Sequence, residues 1–213
     1  MKQCIEIGKV WSGHPVGFAL LTTKSRQFAA FYDEHQQLTV VGRDLDQDTW
    51  QQRQVLDTKV GWDSHNYVTM AEDAEGFLHL SGNMHCVPLI YYRTEKPGDI
   101  ASFVRVPSMV GSNEKRCTYP QFMNGPDGVF VFHYRDGSSG NGNEIYNIYD
   151  VATRTWQRML DQPLTDGEGK VNAYAAGPHP SSGPTGATIC SGCGGRTPAA
   201  RPTTSSPTPA VPI

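Results

Sequence analysis

Short runs of apolar residues recur between residues 14 and 160, and glycine, aspartate, asparagine or proline separates one run from the next. Several runs alternate apolar with polar residues, which is the period of a strand with one buried face. No segment keeps an apolar residue at every third or fourth position for long enough to form an amphipathic helix. The pattern therefore predicts an all-β chain of short strands joined by turns.

The strand pattern repeats along the chain. Trp50, Phe103 and Trp156 lie the same 53 positions apart, and each follows three predicted strands and opens a short fourth one. Four strands recurring every ~40–50 residues are typical of β-propeller blades. An all-β sandwich is the alternative, but its strands would not recur with such even spacing. The sequence therefore predicts a β-propeller of four-stranded blades.

The predicted partial propeller occupies residues 1–177. Its blades are expected at residues 14–56, 62–108 and 117–160, with the start of a fourth at 170–177. Closed propellers have ~4–8 blades, so the three predicted blades are fewer than a closed ring contains. An open arc exposes sheet edges, which predicts self-association through those edges.

The composition changes after residue 177. Glycine, proline, alanine, serine and threonine dominate residues 178–213, and large apolar residues are almost absent there. Such a segment cannot bury enough apolar surface to offset its ordering entropy, so it is predicted to be disordered. It is either a Pro/Thr-rich linker or a frame-shifted translation of sequence that once continued the propeller.

Charge and cysteine usage exclude several classes of function. The net charge of -3 gives no electrostatic basis for binding nucleic acid or an acidic membrane surface. The five cysteines have no regular spacing, which argues against a disulfide framework, and the Cys190–Cys193 pair has no second pair to complete a metal site. The N-terminal residues lack the apolar run of a signal peptide, so the chain as written is expected to be cytoplasmic.

Two histidines flank the first hairpin of the second repeat. Its predicted turn is at residues 73–76, so His65 and His85 lie about equally far from the turn on opposite strands. In an antiparallel hairpin, such positions meet at the open end. His79 and His133, which lie within strands, are expected to be structural.

The third repeat has the same arrangement around a turn at residues 125–128, with Tyr119 and Arg135 as the equidistant pair. Each side chain taken alone has an ordinary structural explanation. Because adjacent blades lie side by side, however, we expect the two pairs to share one cleft. Two imidazoles, a phenol and a guanidinium suit acid–base chemistry on an anionic substrate.

Several segments resemble a known family: WSGHPVGFALLT, GWDSHNYVTMAEDAEGFLHLSGNMH, PLIYYRTEKPGDIASF, TYPQF and FHYRDG. They are similar to BNR-repeat proteins that include ulvan lyase-type polysaccharide lyases, and the likeness runs from about Val10 to Gly177. The resemblance implies a seven-bladed propeller that cleaves uronic-acid-containing polysaccharides by β-elimination. It also implies an acidic polysaccharide as the partner and, for a full-length lyase, an extracellular or periplasmic location.

The resemblance assigns roles to individual residues. The residues implied in catalysis are His65, His85, Tyr119 and Arg135, and those implied in substrate binding are Asn66 and Tyr174. In this scheme the guanidinium neutralises the uronate carboxylate, His65 removes a proton and Tyr119 protonates the leaving oxygen. His85 orients the base or shares its role, and the roles of His65 and Tyr119 could be exchanged. No cofactor is predicted, and no metal is required at the site, although the rest of the fold could carry a structural metal.

Three other functions compete with the lyase. A sialidase-like glycoside hydrolase would need an acidic pair, and the Asp-box pattern SxDxGxTW is met here only in its final Thr-Trp. A non-catalytic carbohydrate-binding or scaffold propeller is the second alternative. The third is a truncated, inactive product.

Overall fold

The computed structural model describes residues 4–125 and 128–174, together with three short strands at Ser181–Ser182, Thr188–Ile189 and Cys193–Arg196. Within these residues the regular structure is β-strand, apart from one 3-10 turn at Ile100–Ser102. In the same part of the chain, no helix has the length and apolar character needed to cross a membrane. The prediction of an all-β chain is confirmed.

The chain forms two compact units. The first comprises Met1–His85, Ile90–Pro107 and Pro120–Phe122, and the second comprises Cys86–Leu89, Ser108–Tyr119 and Met123–Ile213.

The first unit begins with a four-stranded antiparallel sheet whose strands follow the chain order. The strands are β1 (Ala19–Thr22), β2 (Arg26–Tyr32), β3 (Gln37–Asp44) and β4 (Gln52–Lys59). The two central strands are the most buried, and Phe28, Ala30 and Val40 are almost fully enclosed. Asp33 shapes the β2–β3 turn, because its Oδ1 accepts the backbone N–H groups of His35 and Gln37.

The next five strands are β5 (Val68–Glu72), β6 (Leu78–Gly82), β7 (His85–Val87), β8 (Tyr91–Thr94) and β9 (Phe103–Arg105). A second four-stranded antiparallel sheet has the order β5-β6-β8-β9. Its first hairpin turns where the sequence predicts: Val68 pairs with Gly82 and Glu72 with Leu78, and Gly76 takes a positive φ of 86°. This register places residues 65 and 85 at equal distances from the turn.

The second unit contains both ends of β10 (Cys117–Asn124), whose middle residues belong to the first unit. It also contains β11 (Phe130–Asp136), β12 (Asn143–Asp150), β13 (Thr155–Arg158) and β14 (Val171–Tyr174). The three short strands that follow are β15 (Ser181–Ser182), β16 (Thr188–Ile189) and β17 (Cys193–Arg196). The main sheet has the order β17-β14-β12-β11-β10-β7, with β13 also pairing β12.

Each predicted repeat corresponds to one four-stranded meander, and the aromatic residues that mark the repeat lie in the core or pack against it. Trp50 packs against the buried cluster of Ala29, Phe31 and Val41. Phe103 is buried in the second sheet, and the Trp156 ring lies 4.8 Å from that of Tyr149 in the third. The 53-residue spacing therefore marks the start of the last strand of each meander, within two residues.

Two strands depart from the simple repeat. The strand β7 was not predicted, and it joins the main sheet of the second unit. The strand β14, expected to open a fourth blade, instead pairs with β12 in a parallel register, Asn143 opposite Ala173. The remaining predicted part of that blade, residues 175–177, lies outside the described residues, and so does the predicted disordered tail apart from the three short strands. The blade boundaries stay predictions.

Candidate active site

The loop between β4 and β5 carries His65, and Asp63 organises it. The Oδ1 atom of Asp63 accepts the backbone N–H of His65 at 2.8 Å. The buried Asn66 side chain donates to the Asp63 carbonyl at 3.0 Å, and the Asn66 carbonyl accepts the Tyr32 hydroxyl at 2.9 Å. These three bonds close the loop and tie it to β2. The substrate-binding role of Asn66 stays a prediction, and its side-chain amide has a structural bond here.

His85 reaches the same place from the other side of the hairpin. Asn83, with a positive φ of 59°, donates its side-chain amide to the Thr58 hydroxyl at 2.6 Å and to the Lys59 carbonyl at 2.7 Å. The next residue, Met84, is completely buried. The reversed backbone and the buried methionine together direct the chain so that β7 begins at His85.

The structure brings the two histidines together. Their rings stack, with centroids 4.2 Å apart and planes inclined by 20°. Both Nδ1 atoms contact one carboxylate: His65 Nδ1 lies 2.6 Å from Asp63 Oδ1, and His85 Nδ1 contacts Asp63 Oδ2. All three side chains are partly open to solvent, with exposed fractions of 41% for His65 and 33% for His85 and Asp63.

Asp63 is ionised at neutral pH. Partial burial acts to raise its pKa, but the hydrogen bonds from the His65 N–H and from both imidazoles outweigh it and lower the pKa to about 2. An ionised carboxylate only accepts hydrogen bonds, so each imidazole donates its Nδ1 proton to it. The Nε2 atoms then carry the lone pairs.

Sequence reasoning missed Asp63. The signal was available in the stretch Asp63-Ser64-His65-Asn66, since an aspartate two residues before a histidine can accept its backbone N–H and form an Asx turn. That Asp63 also contacts His85, 22 positions later, depends on the hairpin register.

The same three residues have the donor atoms of a metal site. Asp63, His65 and His85 each offer one ligand atom, and these atoms lie within 4.8 Å of one another. Imidazole and carboxylate are zinc ligands. Here, however, the carboxylate lies directly against both Nδ1 atoms, and hydrogen bonds account for these contacts without an ion. A zinc ion bound through these two Nδ1 atoms would need both of them at ~2.0–2.1 Å from the metal, with their protons removed.

The second unit contains the other predicted pair. The Arg135 guanidinium carbon lies 4.9 Å from the centroid of the Tyr119 ring, a cation–π contact. Arg135 is 3% exposed, and its Nη2 donates to the Thr118 hydroxyl at 2.8 Å and to Cys86 Sγ at 3.2 Å. Tyr119 and Cys86 both have positive φ, 57° and 55°. A non-glycine residue in this region carries ~1–3 kcal/mol of strain, and such strain concentrates at functional sites.

The predicted residues thus form two pairs. His65 and His85, with Asp63, belong to the first unit, whereas Tyr119 and Arg135 belong to the second. The expectation that all four share one cleft stays a prediction. The sixth predicted residue, Tyr174, ends β14, and its side chain lies outside the described part of the chain.

An exposed aromatic cluster precedes the histidine loop in the first unit. Trp62, directly before Asp63 in the chain, is 76% exposed. The Trp11 ring meets it edge-on at 5.3 Å between centroids, and the His14 ring lies 5.7 Å away. Sequence reasoning did not single out these residues. A wide, solvent-facing indole is suited to stack against the apolar face of a sugar ring.

Comparison with known protein families and curated proteins identifies relatives of the chain. The model of BNR repeat-containing family members matches residues 26–202. A long-isoform ulvan lyase of Glaciecola sp. (strain KUL10) is 35% identical over 69 residues, which are 32% of this chain and 6% of that protein. The corresponding enzyme of Pseudoalteromonas sp. (strain PLSV) is 41% identical over 62 residues, 29% of this chain and 6% of that protein.

Solved structures show the same fold at low identity. The polysaccharide lyase Uly1 superimposes with a TM-score of 0.66 at 16% identity, over 88% of this chain and 50% of that one. A PL25 ulvan lyase bound to -[GlcA(1-4)Rha3S]- gives a TM-score of 0.66 at 13% identity, over 92% and 50%. These are propeller folds, so the prediction of a β-propeller is confirmed. The chain spans about half the length of both solved lyases, and the matched segments are 6% of the length of the curated ones.

Proposed function

The chain belongs to the BNR repeat-containing family, and from that premise we propose that it is a polysaccharide lyase that cleaves uronic-acid-containing polysaccharides by β-elimination. The observation that carries the proposal is the stacked histidine pair, which shares one ionised carboxylate at a partly exposed position. The likeness to ulvan lyases supports a polymer of glucuronate and rhamnose as the substrate class. A long polysaccharide would meet the enzyme outside the cell, so we propose that the protein is exported.

The histidine pair supplies the base. A neutral imidazole carries a lone pair that can accept a proton, and it is the side chain most often used as a general base. Nε2 of His65 or His85 accepts H5 of the uronate as the C5–H bond breaks. The electron pair of that bond forms the C4=C5 double bond, and the C4–O4 bond breaks.

The Tyr119–Arg135 pair supplies the general acid and the group that neutralises the substrate carboxylate. The Tyr119 hydroxyl donates a proton to the departing O4, and the phenolate is reprotonated from water. The Arg135 guanidinium neutralises the uronate carboxylate and stabilises the negative charge that develops when H5 leaves. Arg135 donates to Thr118 and lies over the Tyr119 ring, and these contacts support a guanidinium preorganised for this role.

We assign substrate binding beyond the reacting uronate to the aromatic cluster of Trp62 and Trp11. Trp62 lies three positions before His65, a span of at most ~11 Å of extended chain. This is within the reach of a neighbouring sugar of the same polymer. The roles predicted for Asn66 and Tyr174 belong to the same proposal.

The exposed indole of Trp62 also favours a second candidate, a carbohydrate-binding propeller without catalytic activity, because stacking on a sugar requires no base. One experiment separates the two. The purified chain is incubated with ulvan and with a non-uronate polysaccharide, and the ultraviolet absorbance of unsaturated uronate ends is followed. Binding is measured in parallel by calorimetry.

For the lyase we expect absorbance to rise with ulvan and not with the non-uronate polymer. His65→Ala should remove the rise, whereas His35→Ala should retain it, since His35 is an exposed histidine on the β2–β3 turn of the same unit. Binding of ulvan with no rise in absorbance would replace the lyase with the binding protein.

A further inference from the structure

We propose that Asp63 is a positioning residue that holds both His65 and His85 as Nδ1-protonated imidazoles, so that their two Nε2 atoms form one proton-accepting site. The catalytic part of this role rests on the proposed function, whereas the protonation pattern can be measured independently of it. Asp63 itself does not touch the reacting atoms.

The first step is the chemistry of the carboxylate. Its two oxygens face two different imidazoles, Oδ1 toward His65 Nδ1 and Oδ2 toward His85 Nδ1. A carboxylate offers lone pairs and no proton, so both contacts require a proton on the nitrogen. In a neutral imidazole this leaves the lone pair on Nε2. The Asp63 side chain thereby sets the tautomer of both imidazoles.

The second step is the orientation of the rings. They stack at 4.2 Å with planes only 20° apart, and both direct Nδ1 toward the same carboxylate. The Nε2 edges of both rings are therefore turned away from Asp63 and lie side by side. The two Nε2 atoms then form one site for the same substrate proton, with His65 as the base and His85 orienting it or sharing its role.

The third step is the anchoring of Asp63. Its Oδ1 also accepts the His65 backbone N–H, and its carbonyl accepts the amide of the buried Asn66. The carboxylate is thus fixed relative to the backbone of one histidine before it orients the other.

A metal ion bound by these residues would require the opposite protonation of the rings. An ion bound by these residues through Nδ1 would take the Nδ1 lone pairs and place the proton on Nε2. The position of the ring protons therefore distinguishes a hydrogen-bonded positioning residue from a metal ligand.

The test is nuclear magnetic resonance of the full chain labelled with 15N in histidine, which identifies the protonated nitrogen of each neutral ring. We expect Nδ1–H for His65 and His85. His79 provides the opposite signal in the same spectrum: its Nε2 faces Asp73 and its Nδ1 faces the Tyr91 hydroxyl, so it should be Nε2–H. An Nε2–H assignment for either His65 or His85, or loss of the Nδ1 protons on adding zinc, would overturn the inference.

The matched variant is Asp63→Asn, which keeps one accepting oxygen and replaces the other with an NH2 donor. We expect one imidazole to keep Nδ1–H and the other to switch, with the elimination rate falling on the order of 10²–10⁴-fold. The exposed Asp46→Asn is the control, and it should change neither the tautomers nor the elimination rate. A variant with both tautomers unchanged would refute the positioning role.

The two proposals fail differently. Nδ1-protonated rings without unsaturated products would overturn the lyase and leave the tautomer assignment standing. Lyase activity with Nε2-protonated rings would overturn the role of Asp63 and leave the lyase standing.

Discussion

Two aspartates in the first unit make the same local turn and contact histidine, but in opposite surroundings. Asp63 Oδ1 accepts the N–H of His65, and Asp73 Oδ1 accepts the N–H of Glu75, each two residues further on. Asp73 then contacts the completely buried His79, whereas Asp63 contacts two partly exposed rings. Burial, and not the motif, separates a structural histidine from one available for chemistry.

The two sites also differ in which nitrogen faces the carboxylate. His79 presents Nε2 to Asp73 and Nδ1 to the Tyr91 hydroxyl, so protein groups engage both nitrogens. Burial lowers the pKa of His79, against the opposing effect of Asp73. At the exposed site it is Nδ1 of each ring that faces the carboxylate, so the lone pair lies on Nε2.

The largest effect on stability is expected at the buried site. His79→Ala leaves the Asp73 carboxylate and the Tyr91 hydroxyl without their imidazole and opens a cavity in the core. Removing one partner of a buried pair costs ~3–5 kcal/mol, so urea denaturation should show a loss of this size in the free energy of unfolding. A loss below ~1 kcal/mol would show that the buried histidine does not stabilise the fold as proposed.

Substitutions at the exposed site should lower the elimination rate and leave the stability of the fold nearly unchanged. We expect His65→Ala and His85→Ala each to lower the elimination rate on the order of 10²–10⁴-fold, with little change in unfolding free energy. The double variant should be no slower than the slower single one, because the pair acts as a unit. Strictly multiplicative losses, measured by steady-state kinetics, would show that the histidines act separately.

Acid should reveal the stabilisation that Asp63 provides. Its pKa of about 2 in the folded chain lies below the ~3.9 of an unfolded aspartate. Its ionised form therefore stabilises the fold above pH ~4, and this contribution is lost as the pH falls through about 2. The difference in unfolding free energy between the unmodified chain and Asp63→Asn should shrink as the pH falls from ~4 to ~2. Thermal melts at stepped pH measure it, and a constant difference throughout would contradict the assignment.

The smallest effect is expected at Trp62. Trp62→Ala removes the indole from the substrate path and should raise KM about 5- to 10-fold, with kcat nearly unchanged, since a stacked aromatic contributes ~1 kcal/mol of binding. Trp62→Phe keeps an aromatic face and should retain most of the affinity. An equal loss of affinity in Trp62→Ala and Trp62→Phe would indicate a structural role for the indole.

The second hairpin shows how far sequence reasoning reaches. The turn residues around Gly76 and the flanking apolar runs predict the register, and that register brings His65 and His85 together. Asp63 was missed because its contact with His85 depends on a ring orientation that only packing selects. The strand β7 and the pairing of β14 with β12 were missed for a similar reason, since edge pairing depends on which strands lie nearby.

The sequence by itself determined the all-β class, the repeat of core aromatic residues and the hairpin symmetry of the histidine pair. These features follow from local rules, namely the strand period of two and the turn preferences of glycine and aspartate. Only the tertiary structure decided that one carboxylate serves two imidazoles and that His79 is enclosed. Burial and side-chain orientation are set by residues distant in the chain, which no local pattern records.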